Sequence, residues 1–374
     1  MTEVTPSADA IVAEDTAGVR DRIGDSLDRL AGGRLLISGG AGFLGYYMTL
    51  TILAWNREVD PAQRIRLTVW DNFARGKPAW LESIRDEPEI ELEQRDVTSP
   101  ASADDFAFDY VVHAAGIASP TFYRQFPLET MDANVIGLRI LLELCRSRGD
   151  RGDPIKGFLF FSSSEIYGDP VPDAIPTPEE YRGNVSCTGP RACYDESKRF
   201  GETLCVSFAR TYDVPVTIVR PFNNYGPGLR LGDRRVIPDF ARDVLAGRDI
   251  VMLSDGSPTR TFCYVADAVC GYYAALARGG RGESYNIGVE EPEISMADLA
   301  ERIAATGREL FDYTGKVVRQ ASDEADYLID NPNRRAPRIT KARNELGYQP
   351  AVTLDDGLRR SLIWYADNRE ADGA

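Results

Sequence analysis

Residues 34–55 read RLLISGGAGFLGYYMTLTILAW. Arg34 to Ser38 form an apolar run of strand length that passes directly into glycines and then into an apolar stretch of helical length. Gly39, Gly42 and Gly45 are spaced G-x-x-G-x-x-G at that junction. In such a turn the first glycine permits the bend, the second lets backbone N–H groups approach a pyrophosphate, and the third allows close helix packing. The positive end of the helix favours the anion. Ordinary strand-to-helix turns share this spacing, so the next strand decides. It lies in RIRLTVWDN and ends at Asp71, whose carboxylate can accept hydrogen bonds from a ribose and would repel a 2′-phosphate. Strand, glycines, helix and acid together predict a dinucleotide site that favours NAD over NADP, with Arg75 and Lys77 close enough to recruit a phosphate. Asp96, after ELEQR, is either an adenine contact or a loop cap.

The same alternation continues outward. YVVHAAG, GFLFFSSSEIYG and PVTIVRPFNNYG read as three further strands, each ending in small or polar residues. Helical stretches separate them, notably Glu129 to Ser147 and YDESKRFGETLCVSFARTY. Strand and helix in turn predict an α/β fold, a Rossmann doubly wound parallel sheet. Beyond Pro221 the strands shorten and Pro, Gly and Arg become frequent, with helices such as ISMADLAERIAATG between. This predicts an N-terminal extension over 1–33, a dinucleotide-binding domain over 34–220, and a smaller α/β domain over 221–374 that binds the substrate and partly interleaves with the first. In the extension, VRDRIGDSLDRL reads as a lead-in helix or as a frayed terminus.

Composition narrows the partners. The chain has 374 residues, 43% hydrophobic and 27% charged, which is ordinary for a folded globular protein. A net charge of −15 argues against a nucleic-acid surface. Even so, Arg220, Arg230, Arg234, Arg235 and Arg260 concentrate in the substrate segment and suit an anionic small molecule. The six cysteines lack paired spacing and no signal sequence precedes them, which reads as a reducing cytoplasm. His113 is the only histidine, so neither a His-based triad nor a His-rich metal site is expected, and no metal is expected. His113 itself reads as a hydrogen-bonded packing residue. No apolar run reaches membrane-spanning length.

The chemistry is carried by RACYDESK, residues 191–198. Tyr194 and Lys198 are at i and i+4 and share a helix face, with Arg191 one turn before. A phenol is a poor base at neutral pH, and an adjacent ammonium is expected to lower its pKa so that it can take a proton from a hydroxyl as a hydride leaves.

With GGAGFLG, YDESK and RPFNNYGP in view, the chain resembles the extended short-chain dehydrogenase/reductase family of sugar-nucleotide epimerases, dehydratases and decarboxylases, over roughly residues 34–365. The resemblance implies a homodimer packed through Glu129 to Ser147 and the helix bearing Tyr194. It implies NAD held by Gly39, Gly42, Phe43, Leu44 and Gly45 of the turn, by Asp71 and Asn72, and by Asp96 and Val97. Ala114, Ala115, Gly116, Asn134 and Pro221 complete that set with Tyr194 and Lys198. Ser163 matches a Ser or Thr that completes a catalytic triad with Tyr194 and Lys198, and Glu165 matches an acid beside C5 of the sugar. The nucleotide sugar falls to Ser119, Ser164, Asn223, Arg235, Arg260 and Tyr264.

In the 4,6-dehydratases the residue before that glutamate is an aspartate that helps C6 hydroxide depart; here it is Ser164. Ser-Glu followed by NVSCTGPRACYDESKR is most similar to UDP-glucuronate decarboxylases. Oxidation at C4 would make the C6 carboxylate a β-keto acid, carbon dioxide would leave, and protonation at C5 with return of the hydride would give UDP-xylose. Arg260 matches an arginine that in the decarboxylases lies near the substrate carboxylate and diphosphate, which implies binding and acid catalysis; the alternative is a salt bridge between domains. Three positions depart from that pattern: Gly228 stands where arginine is common, Ser163 where threonine is frequent, and HAAGIASP replaces a more usual loop. They predict UDP-4-keto-pentose as a product beside UDP-xylose. Rival readings are a 4-epimerase of UDP-hexuronates or UDP-hexoses, a dTDP-glucose 4,6-dehydratase, and a non-catalytic NAD(H) sensor.

Overall fold

The computed structural model describes residues 5–104, 106–320 and 329–369. Strand-forming runs with both faces covered make the main sheet: β1 (Arg34–Ser38), β2 (Arg66–Asp71), β3 (Ile90–Gln94), β4 (Tyr110–His113), β5 (Gly157–Phe161) and β6 (Val216–Pro221), joined by Ser284–Ile287. The order is Ser284–Ile287, β6, β5, β4, β1, β2, β3, and all pairings are parallel. Chain order reverses between β1 and β4, so the carboxyl ends of those strands flank the crevice where such sheets bind ligands. β3 carries alternating acids, which hid it in the sequence; it is an edge strand with one face toward solvent. The last strand comes from beyond residue 220, so the C-terminal segment returns to the first layer before it forms its own small sheets.

The expected helix from Glu129 to Ser147 is three pieces: Pro127–Asp132, a π-helical turn over Ala133–Gly137, and Leu138–Asp150. The wide turn lies where a side chain at Gly137 would meet Val97 and where Asn134 is fully buried. The helix bearing Tyr194 runs Ala192–Tyr212.

The described part of the N-terminal extension is folded. Ser7 caps helix Ala8–Arg22 by accepting from Ala10 N, and a second helix, Gly24–Leu30, follows. Ile11, Val12, Val19, Leu27 and Leu30 are buried, which decides for the lead-in helix and against a frayed end.

Gly45 shows how tightly the glycine turn is built: a Cβ there would stand 2.2 Å from the Gly40 carbonyl oxygen. Because that neighbour is backbone, Gly45→Ala should cost about 1–3 kcal/mol or more by overpacking. Urea denaturation checks this, and an unchanged midpoint would contradict the packing described.

Candidate active site

A cavity of about 1250 Å³ lies across the carboxyl ends of the central strands and is lined by both halves of the chain. Pockets for one small molecule run to about 1,000 Å³ at most, so this one has room for two ligands.

Its first end is the glycine turn. Gly39 has φ +74° with Ala115 packed where a Cβ would be, and Gly42 precedes helix Phe43–Asn56. That helix has no side-chain cap and no acid in its first turn, so the N–H groups at Phe43 and Leu44 are offered to an anion in the cavity. Asp71 is fixed by the N–H groups of Ala41 (3.1 Å) and Phe73 (2.8 Å), and burial raises its carboxyl pKa. Asn72 donates to Asp96 at 2.9 Å, and Asp96 also accepts from Thr98, which makes it the loop cap as well as a wall residue. The two cations that left room for a 2′-phosphate are engaged: Arg75 pairs with Asp233 and Lys77 with Glu82. An uncapped helix end beside a ribose-sized acid site fits NAD.

Val97, Ala114, Ala115, Gly116 and Pro221 continue the wall toward the catalytic helix. Three predicted residues do not reach it. Gly45 packs the helix on the strand, and Asn134 is buried behind Gly116, donating to Ser197 with its own Oδ1 unpartnered. Tyr264 is 1% exposed and its hydroxyl donates to Asp15, so its place as a substrate contact is corrected to one in the core. Arg220 likewise turns away, held by Glu202 and Tyr167. His113 is stacked on Phe160 and hydrogen-bonded to Ser38, and burial drops its pKa to about 3.

At the second end stand Ser163, Tyr194 and Lys198. Tyr194 stacks on Tyr123 with ring centres 5.0 Å apart. Burial pushes its pKa up to about 12, against a hydrogen bond from Ser163 that lowers it. Lys198 donates to the Phe161 carbonyl at 2.7 Å, and burial lowers it to about 7. The expectation that the ammonium lowers the phenol is therefore corrected: burial dominates at both groups, and neither is among the main influences on the other.

Beside them is a feature the motifs did not disclose. Glu165 is bound by Arg191 and by Arg335, with Arg260 close enough to influence it. Burial opposes the Glu165 charge, but the Arg191 and Arg335 guanidiniums win and hold its pKa well below the usual carboxylate range. Asp195, also beside Arg191, is pushed up by burial and by Glu165. Among the described residues Arg260 has only carbonyl and amide oxygens as partners (Thr259, Pro332, Asn333, Asn331), and burial with Arg335 lowers it to about 9. Among the described residues, three buried guanidiniums face one firmly ionised carboxylate, with Asp195 pushed toward its neutral form and Asp169 acting on Arg260. Arg335 lies far along the chain from RACYDESK and has no local pattern to mark it; Arg191 was in view without a role.

The remaining substrate candidates, Ser119, Ser164, Asn223 and Arg235, line the same cavity. Ser119 donates to the Asp233 carbonyl, Asn223 to the Thr261 carbonyl, and Arg235 pairs with Asp233. At Gly228 φ is +89° and the Tyr46 ring occupies the place of a side chain, so arginine has no room there. Arg230, bonded to the Arg75 and Gly76 carbonyls, is the nearby cation on that wall. Among the described residues no group of acidic, Cys and His side chains is placed to hold a metal.

Residues 35–288 match the NAD dependent epimerase/dehydratase family. The chain belongs to that family. Among curated members, UDP-glucuronic acid decarboxylase 5 of Arabidopsis thaliana is 36% identical over 325 residues, 87% of this chain and 87% of the relative. UDP-glucuronic acid decarboxylase 1 of Xenopus tropicalis is 34% identical over 90% of this chain and 73% of the relative. Among solved members, the Bordetella bronchiseptica enzyme WbmF, in complex with NAD+ and UDP, superposes with a TM-score of 0.72 and 25% identity over 92% of this chain and 96% of that one. For this family member, NAD is the cofactor that the glycine turn and Asp71 are shaped to take.

The Lys198 environment is testable without substrate. The folded protein releases this proton near 7, whereas an exposed lysine keeps it to about 10.5. Between those values the unfolded chain binds more protons, so this group's contribution to stability rises with pH across the window. Urea unfolding at its two ends should show the parent gaining stability relative to Lys198→Met; equal pH slopes would contradict the assignment.

Proposed function

We propose that the chain is an NAD-dependent UDP-glucuronate decarboxylase that converts its substrate, through a 4-keto hexuronate, to UDP-xylose when the hydride returns to C4, and/or to UDP-4-keto-pentose when that product leaves first and the hydride stays behind as NADH. The observation that carries this reading is the buried cluster of Arg191, Arg260 and Arg335 next to Ser163 and Tyr194. A sugar whose C4 hydroxyl meets the tyrosine would turn its C6 substituent toward excess positive charge, a place for a carboxylate and a poor one for the CH₂OH of a hexose. Ser164, where an elimination needs an acid, supports loss of carbon dioxide over loss of water. The curated relatives named above are decarboxylases of UDP-glucuronic acid.

In this reading Gly39, Gly42, Phe43 and Leu44 hold the NAD pyrophosphate, Asp71 the adenosine ribose, Asn72, Asp96 and Val97 the adenine side, and Ala114, Ala115, Gly116 and Pro221 the nicotinamide side. Bound NAD supplies the hydride acceptor and donor for C4. Tyr194, hydrogen-bonded to Ser163, takes and returns the C4 hydroxyl proton. Lys198, poised near neutrality, relays charge to it and reaches the nicotinamide ribose. When the C5–C6 bond breaks, its electron pair enters an enolate whose oxygen lies between Ser163 and Tyr194. Glu165, kept ionised, aligns Arg191 and Arg335. Arg260, lowered toward the range of an acid, grips the carboxylate and supplies the proton to C5. Asn223, Arg235 and Ser119 bind the diphosphate and uridine.

We also propose a homodimer. Leu128, Ile136 and Phe200 are exposed large apolar side chains on the helical segments over 127–150 and 192–212, the surface a partner copy would cover. The six cysteines are all free, which supports a reducing, cytoplasmic setting. Among the described residues no helix is long and apolar enough to cross a membrane.

Incubation with UDP-glucuronate should give products lighter by one carbon dioxide, with a 4-keto species visible by NMR. An isobaric epimer would overturn the reading. Tyr194→Phe should lower kcat by about 10²–10⁴-fold. Light scattering should find a dimer that Phe200→Asp weakens; a monomeric parent would refute that part.

A further inference from the structure

Helix Ala8–Arg22 lies outside the matched family region, and none of the steps above uses it. Its one buried carboxylate, Asp15, gathers hydrogen bonds from three separate parts of the chain. The Tyr47 hydroxyl donates at 2.8 Å from the helix that the glycine turn opens. The Tyr264 hydroxyl donates at 2.5 Å from the short strand that follows Arg260, and Arg360 Nη1 donates at 2.9 Å from the C-terminal helix Leu354–Asn368. We propose that Asp15 is a positioning residue, a junction that sets the cofactor-binding half against the nucleotide-sugar half of the cavity.

The leverage can be followed bond by bond. Residues 260–264 carry Arg260 at one end and Tyr264 at the other. Between them Cys263 N donates to the Asn223 carbonyl at 3.2 Å, and Asn223 Nδ2 donates to the Thr261 carbonyl at 2.8 Å. Cys263 and Tyr264 pair with Asn224 and Tyr225. Fixing the Tyr264 hydroxyl therefore fixes the segment that presents both Arg260 and Asn223 to the cavity. On the other side, Tyr47 is one turn after Phe43, and its neighbour Tyr46 forms cavity wall against Gly228. A second tie runs parallel: Arg22 pairs with Asp267 at 2.7 Å, while Asp267 accepts from the N–H groups of Ala351 and Val352.

Simple packing would not call for a carboxylate here. Val12 and Val19 already bury the helix in the main core, and Ile11 is buried as well; a charge taken from water costs more than an apolar side chain of similar size unless its partners are well placed. What a satisfied polar junction adds is direction: two phenols and a guanidinium meet Asp15 in one arrangement only.

The inference rests on the decarboxylase reading only for its kinetic readout. Full-length Asp15→Ala, Asp15→Asn and Tyr264→Phe would be compared with the parent for melting temperature, NADH binding, UDP binding in the presence of NADH, and kcat and KM on UDP-glucuronate. A displaced half should leave NADH affinity as in the parent, weaken UDP, and lower kcat by about 10- to 100-fold, the scale of a misplacement of about 1 Å. Asp15→Asn keeps an oxygen for the phenols and should recover part of both losses. A variant that melts earlier yet keeps the parent's UDP affinity and kcat would overturn the proposal, since a purely structural residue does only that. If Asp15→Ala fails to fold, Tyr264→Phe decides alone, because it removes a single hydroxyl; parental UDP affinity there would be equally fatal. A parent inactive on UDP-glucuronate would sink the decarboxylase reading, while the two binding measurements still decide the role of Asp15.

Discussion

Everything at the reactive end of the cavity depends on how Glu165 is held. It is one carboxylate facing two bound guanidiniums and a third close by, all largely removed from water. Taking such charges out of water costs several kcal/mol each, and only tight mutual pairing offsets it. Among the described residues the pairing is incomplete: three cations stand against one firmly ionised acid, with Asp195 pushed toward its neutral form. The surplus is what a second carboxylate, arriving on a sugar, would neutralise.

The fold makes that convergence possible. Glu165 follows β5, Arg191 precedes the catalytic helix, Arg260 ends a two-residue strand, and Arg335 lies in the strand Arg334–Arg335 paired beside it. The parallel sheet supplies the cofactor half with its uncapped helix end, and the irregular chain beyond it supplies the cations. The same burial that strengthens the arginines sets the neighbouring acid–base groups. It raises Tyr194 and lowers Lys198, driving apart two groups whose ordinary proton affinities nearly coincide, to about 12 and about 7. Proximity along a helix face alone would have predicted the reverse for the tyrosine.

Features written locally could be read from the sequence. The glycine turn, Asp71 at a strand end, and Tyr194 with Lys198 each rely on local residues, and the structure puts Gly39, Gly42, Asp71, Tyr194 and Lys198 on the cavity. Ser163 and Glu165 came from resemblance, and both line the wall. Long-range features were out of reach: Arg335 joins Glu165 across 170 positions. Tyr264 was misplaced because its neighbour Arg260 faces the cavity, and nothing local says that its hydroxyl points to Asp15 in the opposite direction. The N-terminal helix stayed open because its apolar spacing alone does not name the three surfaces it covers. Charge balance was the subtlest gap, since a count of arginines in a segment cannot separate Arg220, neutralised by Glu202, from Arg260, which has no acid bonded to it among the described residues.

The claim that the arginine cluster selects a carboxylated sugar is tested most directly by calorimetry on the NADH-loaded protein, comparing UDP-glucuronate with UDP-glucose. The account predicts tighter binding of UDP-glucuronate by at least about tenfold, the worth of one charge-assisted hydrogen bond or ion pair in a desolvated site, with the difference lost in Arg335→Met. Equal affinities in the parent protein would contradict it.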